Sequence, residues 1–508
     1  MLARLHCMAL VGIEAVPVTV EVAVAAQGFG PPVLVGLPDA AVRESIQRIR
    51  SAFEHCGLKF PQNTITVNLA PADLRKEGPA FELPIAIGLL MATGQIAWPA
   101  AQHTVLAGEI ALDGSIRPVR GALSMAMAAR AAGLTHAILP ADNGQEAGVV
   151  VGLEIRTAAS LTQVIGHIQG IFELPLAEVD VASMLDGADD GQLDYADVRG
   201  QEHVKRALVI AAAGQHNLLL IGPPGSGKTM LAKRLPTILP PLSIEEALEA
   251  TRVFSALGET DRARPLVTRR QVRMPHHTAS TPAMVGGGVN LPRPGEVSRA
   301  HHGVLFLDEF PEFARPTLEA LRQPMEDEVV TIARSHGTVR FPARFMLVAA
   351  MNPSPTGHAQ GAGKRAPSAR AQAEYLGRIS GPIVDRIDIH VEVPAVPIDQ
   401  LRARRTGTSS ATMREQVLKA LARQRARFGN QTTTNARMTG PQVRSFCQLD
   451  PPAEAILRQA MIELKLSARA HDKILRVSRT IADLADRDQI QAADVSEAVM
   501  YRRLDREA

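Results

Sequence analysis

Residues 217–229 read NLLLIGPPGSGKT, and this stretch decides the fold of the chain around it. The apolar run at 218–221 is typical of a strand buried on both faces of a parallel sheet. A glycine-rich loop and a helical pattern follow directly, which is the order that a phosphate-binding P-loop requires. The sequence therefore predicts a doubly wound α/β nucleotide-binding core in this part of the chain.

The loop itself predicts an ATP site. Its eight residues are Gly222, Pro223, Pro224, Gly225, Ser226, Gly227, Lys228 and Thr229. The glycines let backbone N–H groups turn toward phosphates, helped by the positive end of the following helix. Lys228 is expected to reach the β- and γ-phosphates, and the Thr229 hydroxyl to bind Mg²⁺. A chance glycine-rich turn is the alternative, which the strand–loop–helix context disfavours.

Two further apolar runs end in polar side chains. GVLFLDEF at 303–310 ends in Asp308 and Glu309, which we expect to hold Mg²⁺ and to polarise the attacking water, respectively. FMLVAAMN at 345–352 ends at Asn352, which could sense the γ-phosphate or merely cap the strand. An exposed acidic pair is the simpler interpretation of Asp308 and Glu309, but the nearby P-loop favours a catalytic one.

Two arginines further along the chain leave alternatives open. Arg386 follows Asp385 in ISGPIVDRIDIHVEV, where it could form a surface ion pair or serve as an arginine finger directed into a neighbouring subunit. LSARAHDKILRV sets Arg469, Lys473 and Arg476 on one helix face, suited either to solvent or to a phosphate.

Length and composition indicate a multidomain globular protein. The chain has 508 residues, of which 46% are hydrophobic and 21% charged, and its net charge is +3. This size suggests roughly three domains. The three cysteines are scattered, which fits a reducing, cytoplasmic environment, and no run reaches the ~18 apolar residues of a membrane helix.

Changes of pattern divide the chain into five segments. Residues 1–173 mix strands and helices as an α+β domain, with a hairpin signature at Asp113-Gly114. Residues 174–197 hold seven acidic side chains and no basic ones, which is typical of a solvated linker. An α/β core at 198–395, a linker at 396–410 and a helical domain at 411–508 complete the predicted order.

One long stretch carries a family resemblance. Residues 274–327, MPHHTASTPAMVGGGVNLPRPGEVSRAHHGVLFLDEFPEFARPTLEALRQPMED, resemble the signature of the YifB/ComM family of Mg-chelatase-like AAA+ ATPases. VGLPDAAVRES at 35–45 and VNLAPADLRKEGPAFELPIAIGLL at 67–90 extend the similarity over nearly the whole chain.

The resemblance implies a role for each segment and for the site residues. It implies a Lon-protease-like (ChlI-type) domain at 1–173, an AAA+ core with a helix-2 insert and a hairpin before sensor 1, and a C-terminal helical lid. Asp308 and Glu309 would be the Walker B pair, Asn352 sensor 1, Arg386 a finger acting in trans and Arg469 sensor 2. It also implies a homohexameric ring. ComM-like members are known as ATP-driven branch-migration helicases in natural transformation.

The sequence departs from related patterns at two places. Many members carry a four-cysteine zinc cluster after sensor 1, whereas NPSPTGHAQGAGKRAPSAR at 352–370 contains no cysteine, so we expect ATP and Mg²⁺ but no zinc. Ala80 stands where a Lon-type protease has its serine nucleophile, and Leu123 where it has its lysine base. We therefore expect no proteolysis.

The distribution of basic residues along the chain is relevant to DNA binding. Residues 261–300 contain seven basic side chains against two acidic ones, and residues 331–386 contain eight against two. By resemblance these segments carry the helix-2 insert with Arg293, and a hairpin at 329–341 with Arg334 and His336 at its tip. We expect these three residues to contact the phosphate backbone of branched or forked DNA.

Simpler and rival interpretations remain. The basic residues could serve ATP binding or solubility alone. A protein-remodelling ring would normally carry an aromatic grip at the hairpin tip, and the sequence has none there. A metal-chelatase motor works with separate subunits, and no partner domain is visible here. A nucleotide-dependent scaffold would need an impaired site, whereas every expected hydrolytic group is present.

Overall fold

A computed structural model describes residues 2–186, 193–261, 263–288, 292–334, 337–354, 369–396, 407–430 and 432–502. These residues form a mixed α/β protein of two compact units. The first unit comprises the described residues of 1–188, 243–268 and 290–293, and the second those of 189–242, 269–289 and 294–508.

Eighteen strands occur in the described residues. They are β1 Leu2–Val11, β2 Glu14–Val24, β3 Val33–Val35, β4 Ile65–Ala70, β5 Thr104–Leu106, β6 Glu109–Ile110, β7 Ile116–Arg117, β8 His136–Pro140, β9 Glu154–Ala158, β10 Leu218–Ile221, β11 Val272–Arg273, β12 Gly286–Gly287, β13 Arg293–Pro294, β14 Val304–Leu307, β15 Val329–Arg334, β16 Gly337–Pro342, β17 Met346–Met351 and β18 Ile389–Glu392.

The α-helices of the described residues range from one turn to five. They are Ala40–His55, Glu82–Ala92, Ala122–Ala131, Gly144–Ala147, Leu161–Ile168, Val181–Asp186, Glu202–Gly214, Lys228–Arg234, Ile244–Leu257, Thr281–Val285, Glu296–Arg299, Arg315–Glu319, Arg322–Asp327, Ala369–Gly377, Gly381–Val384, Ser410–Phe428, Gly440–Phe446, Pro451–Glu463, Ala468–Leu484 and Ala492–Met500. In the part of the chain that the structure describes, no helix combines the length and apolarity needed to span a bilayer.

The first unit is built on a mixed seven-stranded sheet. Its strand order is β3-β4-β2-β1-β5-β8-β9, and β1 and β2 pair antiparallel over their whole length. Valines alternate along β2, and Val18, Val20 and Val22 are buried on the same face. The predicted hairpin at Asp113-Gly114 also forms, since β6 and β7 pair antiparallel. Gly114 lies at the turn with φ +81°.

The helix Ile244–Leu257 belongs to the first unit. Near its C-terminal end, the backbone oxygen of Ser255 accepts from the N–H of Gly121 at 2.9 Å, and the Ser255 hydroxyl donates to the buried carboxylate of Glu146. Glu146 also accepts from the backbone N–H of Leu123 at 3.2 Å. The sequence pattern predicts 243–268 as part of the 198–395 core, whereas in the structure this segment belongs to the first unit. The five predicted segment boundaries stay predictions.

A five-stranded parallel sheet forms the centre of the second unit. Its order is β11-β14-β17-β10-β18, and each neighbouring pair is parallel. Strands β10, β14 and β17 are buried at every residue, as their continuous apolar runs predict. Because the strands are parallel, their carboxyl ends share one edge, which is where open α/β sheets bind ligands.

The C-terminal helices share a hydrophobic core with this sheet. On the helix Ala468–Leu484, Ile474, Val477 and Ile481 recur at helical spacing and are buried. The helix begins at the N-cap Ser467, whose hydroxyl accepts from the N–H of Ala470 at 3.2 Å.

The predicted hairpin before β17 is present. Strands β15 and β16 pair antiparallel, with Val330 opposite Phe341 and Ile332 opposite Val339. These four residues are buried, while Arg334 at the end of β15 is exposed. Alternation of this kind packs one face of a hairpin and leaves basic groups on its outer part.

Candidate nucleotide site

The P-loop joins the buried strand β10 to the helix Lys228–Arg234. Two of its glycines are required by geometry. A Cβ on Gly222 would lie 2.2 Å from the backbone oxygen of Val393, and Gly227 has φ +91°. Gln201 also fixes the loop, because its side-chain amide donates to the backbone oxygen of Ser226 at 2.9 Å. Sequence reasoning missed Gln201, whose only signal was its place just before a predicted helix.

Lys228 lies against its own loop and reaches a neighbouring strand. Its Nζ donates to the backbone oxygens of Gly222 at 2.6 Å and Pro223 at 3.0 Å, and to Oδ1 of Asn352 at 3.3 Å. Burial lowers the pKa of Lys228, and the charge of Asp308 opposes that shift. The ammonium group is thus held at the sheet edge among acceptors that a phosphate could replace.

Thr229 and Asp308 lie in direct contact. The Thr229 hydroxyl donates to Oδ2 of Asp308 at 2.7 Å, which joins the start of the P-loop helix to the end of β14. The other carboxylate oxygen, Oδ1, accepts from the backbone N–H of Glu309 at 3.0 Å. Two oxygen ligands of the kind that Mg²⁺ prefers therefore stand side by side.

Glu309 follows in a left-handed backbone conformation, with φ +52°. Its carboxylate Oε2 lies 2.9 Å from Nδ1 of His277. His277 is one of two adjacent histidines in the sequence, and nothing in its spacing from Glu309 signals this contact.

Asn352 stands at the end of β17, beside β10 in the sheet. Its side-chain oxygen accepts from Nζ of Lys228, which places this amide beside the P-loop. The structure therefore brings five predicted site residues to one edge, namely Lys228, Thr229, Asp308, Glu309 and Asn352.

Arg386 and Arg469 lie elsewhere in the second unit. Both line a cavity of about 440 Å³ whose lining does not include the P-loop. Arg386 donates to the backbone oxygen of Pro382 at 2.6 Å and pairs with Glu326. Arg469 lies 3.6 Å from Asp385.

A buried polar network frames this cavity. Asn217, at the start of β10, donates through its side-chain amide to the backbone oxygen of Arg386 at 3.0 Å and accepts from the N–H of Leu347 at 2.9 Å. Its own N–H donates to Asp388 at 3.1 Å, and Lys473 pairs with the same carboxylate. Asn217 thereby ties the backbone at Arg386 to the P-loop strand, a role that its place in an apolar run did not indicate.

Two of the three predicted DNA contacts lie in the described residues. Arg334 and Arg293 are exposed, and His336 lies outside the described residues. Most of the loop expected to lack zinc, residues 355–368, also lies outside them.

The residues at the sheet edge fit Mg²⁺ and a polyphosphate. Thr229 and Asp308 supply oxygen ligands, and Lys228 supplies a cation. The buried hydroxyl of Ser226 has no hydrogen-bond partner within the described residues. A Cβ added to Gly225 would meet no atom within 4 Å, so the space beside the loop is open.

Comparisons with known proteins agree with this geometry. Family models match three segments: "Magnesium chelatase, subunit ChlI" at 194–401, "Subunit ChlI of Mg-chelatase" at 20–143 and "Magnesium chelatase, subunit ChlI C-terminal" at 407–502. The protein YifB of Salmonella typhimurium is 45% identical over 508 residues, covering 99% of this chain and 98% of YifB. The competence protein ComM of Haemophilus influenzae is 44% identical over 507 residues, with the same coverage. A Lon protease of Bacillus thuringiensis is 30% identical over 160 residues, covering 29% of this chain and 20% of Lon.

The parallel sheet with a P-loop at its edge defines a P-loop α/β protein of the ATP-binding class. Its relatives match it from end to end. The chain belongs to the YifB/ComM family of Mg-chelatase-like AAA+ proteins.

Proposed function

We propose that this protein is an ATP-hydrolysing ring motor that drives branch migration of DNA, in the manner of a ComM-like helicase supporting recombination or natural transformation. The observation that carries the ATPase part is the assembly of Lys228, Thr229, Asp308 and Asn352 at one edge of a parallel sheet. The DNA part is supported by a full-length relative described as a competence protein.

Each site residue has a chemical task in this proposal. Thr229 and Asp308 would hold Mg²⁺, which would supply positive charge to offset that of the bound polyphosphate. When ATP binds, Lys228 exchanges its backbone acceptors for phosphate oxygens. The side chain of Asn352 stays next to the Lys228 ammonium group. Glu309 accepts a proton from the attacking water.

The two arginines complete the site of a neighbouring subunit. Arg386 and Arg469 line the same cavity, and no residue of their own P-loop lines it. This supports action in trans, on ATP bound to a neighbouring subunit. This arrangement requires a homo-oligomer, and we propose a hexameric ring in which residues 411–508 act as the helical lid. The ion pairs of Arg386 with Glu326 and of Arg469 with Asp385 would then open on assembly.

We propose that DNA contacts come from the basic segments rather than from the net charge. Arg334 is exposed at the end of β15 and Arg293 is exposed in β13, where each could meet a phosphate without reading bases. His336 joins this set from its sequence position between β15 and β16.

The N-terminal domain acts as a platform without proteolytic chemistry in this proposal. Ala80 and Leu123 are buried and carry no nucleophile or base. Cys7, whose Sγ lies 3.8 Å from the backbone oxygen of Ala80, cannot substitute, because burial raises the pKa of its thiol to about 12. A cytoplasmic location fits the three free cysteines, and no zinc is required by any of these steps.

A chelatase-type or protein-remodelling motor is the second candidate. It is favoured by the family models, which are described as magnesium chelatase subunits. The two candidates differ in their response to DNA.

The test is ATP hydrolysis by the full-length protein with and without a four-way DNA junction. We expect Mg²⁺-dependent turnover that the junction stimulates severalfold, and only a small residual turnover with Glu309→Gln. Turnover that DNA does not change, together with no junction binding at moderate salt, would favour the second candidate. Turnover unaffected by Glu309→Gln would reject the site itself.

A further inference from the structure

The predicted base Glu309 has a partner to which no role has been assigned. Nδ1 of His277 lies 2.9 Å from Oε2 of Glu309, a distance at which a charge pair or a donor contact orients both groups. The Glu309 side chain is 58% exposed and that of His277 only 29%. The histidine is therefore the more confined member of the pair.

Ring contacts explain why His277 is confined. Its imidazole lies against that of His276, with ring centroids 4.1 Å apart, and meets the ring of Phe313 edge-on at 6.5 Å. Phe313 is buried and follows Glu309 by a single 3-10 turn, Phe310–Glu312. The histidine thus packs on the same short segment whose carboxylate it contacts.

The side chain of Glu309 needs such a restraint, because its backbone does not fix the direction of the carboxylate. Its left-handed φ of +52° and the bond from its N–H to Asp308 define where the side chain starts. Neither defines where a carboxylate three bonds further on will point, because an exposed glutamate samples several rotamers. His277 supplies the missing constraint at Oε2, which leaves Oε1 free to accept a proton.

We propose that His277 is a positioning residue for ATP hydrolysis, which holds Glu309 so that its free carboxylate oxygen faces the attacking water. This inference rests on the proposed ATPase function. Water gives its proton to Oε1 of Glu309, its oxygen bonds to the γ-phosphorus, and the bond from that phosphorus to ADP breaks. His277 touches neither water nor phosphate and acts only through the carboxylate.

The test compares three single variants in the full-length protein. We expect His277→Ala to lower kcat by about tenfold or more while leaving the KM for ATP within about twofold, because misplacing a reacting group costs rate rather than binding. His277→Asn should restore most of the loss, since its amide nitrogen lies near the position of Nδ1. His136→Ala is the control, because it also removes an imidazole that faces a glutamate, Glu154 at 3.9 Å, but does so in the N-terminal sheet, and it should stay within about twofold of the wild type.

A double variant separates positioning from a structural role. In the Glu309→Gln background, His277→Ala should change the residual rate no further, because the group it orients is already lost. A wild-type kcat in His277→Ala, or a raised KM with unchanged kcat, would overturn the inference. The inference would also be overturned if His277→Asn did not restore kcat while its thermal unfolding midpoint and its nucleotide binding were normal. If Glu309→Gln itself turns over normally, the proposed ATPase site fails, whereas an inactive Glu309→Gln with a normal His277→Ala rejects only the positioning role.

Discussion

The Nζ atom of Lys473 lies 2.9 Å from Oδ1 of Asp388, and both side chains are buried. Asp388 immediately precedes β18 and follows Arg386 by two residues, whereas Lys473 lies one helical turn after Arg469. This pair joins the two segments that carry the proposed trans-acting arginines. Its partners His216 and Asn217 extend the link to the strand that leads into the P-loop.

We expect Asp388→Asn to destabilise the protein strongly. It leaves Lys473 charged and buried without its partner, a change that typically costs about 3–5 kcal/mol. The measurement is the midpoint of thermal or denaturant unfolding. Glu415→Gln is the matched control, since the Lys419–Glu415 pair has the same 2.9 Å separation but both side chains are largely exposed. Equal midpoints for the two variants would contradict a structural role for the buried pair.

The same pair predicts an acid dependence. Burial would raise the pKa of Asp388, but the charge of Lys473 and the contacts of His216 outweigh it and hold that pKa well below its ordinary range. A carboxyl with a lowered pKa stabilises the fold above its unfolded value near 3.9 and loses that contribution as the pH falls further. The difference in unfolding midpoint between the wild type and Asp388→Asn should therefore shrink from about pH 5 downward. A constant difference between pH 7 and pH 3 would reject this prediction.

Much of this arrangement follows from sequence, and particular residues show why. The runs at 218–221, 304–307 and 346–351 are apolar on both faces, so they had to be buried strands of a parallel sheet. Parallel strands bring their carboxyl ends to one edge, which is why Lys228, Asp308 and Asn352 could be expected to meet.

The contacts that sequence could not predict depend on tertiary packing. Asn217 reads as the start of an apolar strand, yet its amide bridges Arg386 and Leu347. His277 reads as one of two adjacent histidines, and only the fold places one against Glu309 and the other against Thr278. The sequence of the helix Ile244–Leu257 does not indicate that this helix belongs to the first unit. An amphipathic pattern shows that one face of a helix is buried, but not which element buries it.

The hydroxyl of Thr229 offers a prediction on Mg²⁺. Thr229→Val keeps the shape of the side chain but loses the oxygen that contacts Asp308. We expect it to lower ATP turnover by about tenfold or more and to raise the Mg²⁺ concentration needed for half-maximal rate. Thr229→Ser retains the hydroxyl and should keep most of the activity. A Mg²⁺ titration of hydrolysis checks both variants, and an unchanged titration curve for Thr229→Val would exclude the hydroxyl as a ligand.

The trans role of Arg386 is tested by mixing subunits. Arg386→Ala should still bind ATP but lose about a thousandfold in turnover, the scale expected of an arginine finger. Lys228→Ala should be inactive because it lacks the phosphate-binding cation. A mixture of the two inactive variants can place an intact P-loop beside an intact Arg386, so we expect it to recover part of the activity. A mixture that forms rings yet recovers nothing would argue that Arg386 does not act on its neighbour.

The measurement that tests the central claim most directly is dissociation of a four-way DNA junction by the purified full-length protein. The account predicts conversion of the junction to its duplex products that requires ATP and Mg²⁺ and is absent with Glu309→Gln. An active ATPase that binds the junction but leaves it intact in the presence of ATP and Mg²⁺ would contradict a branch-migration motor.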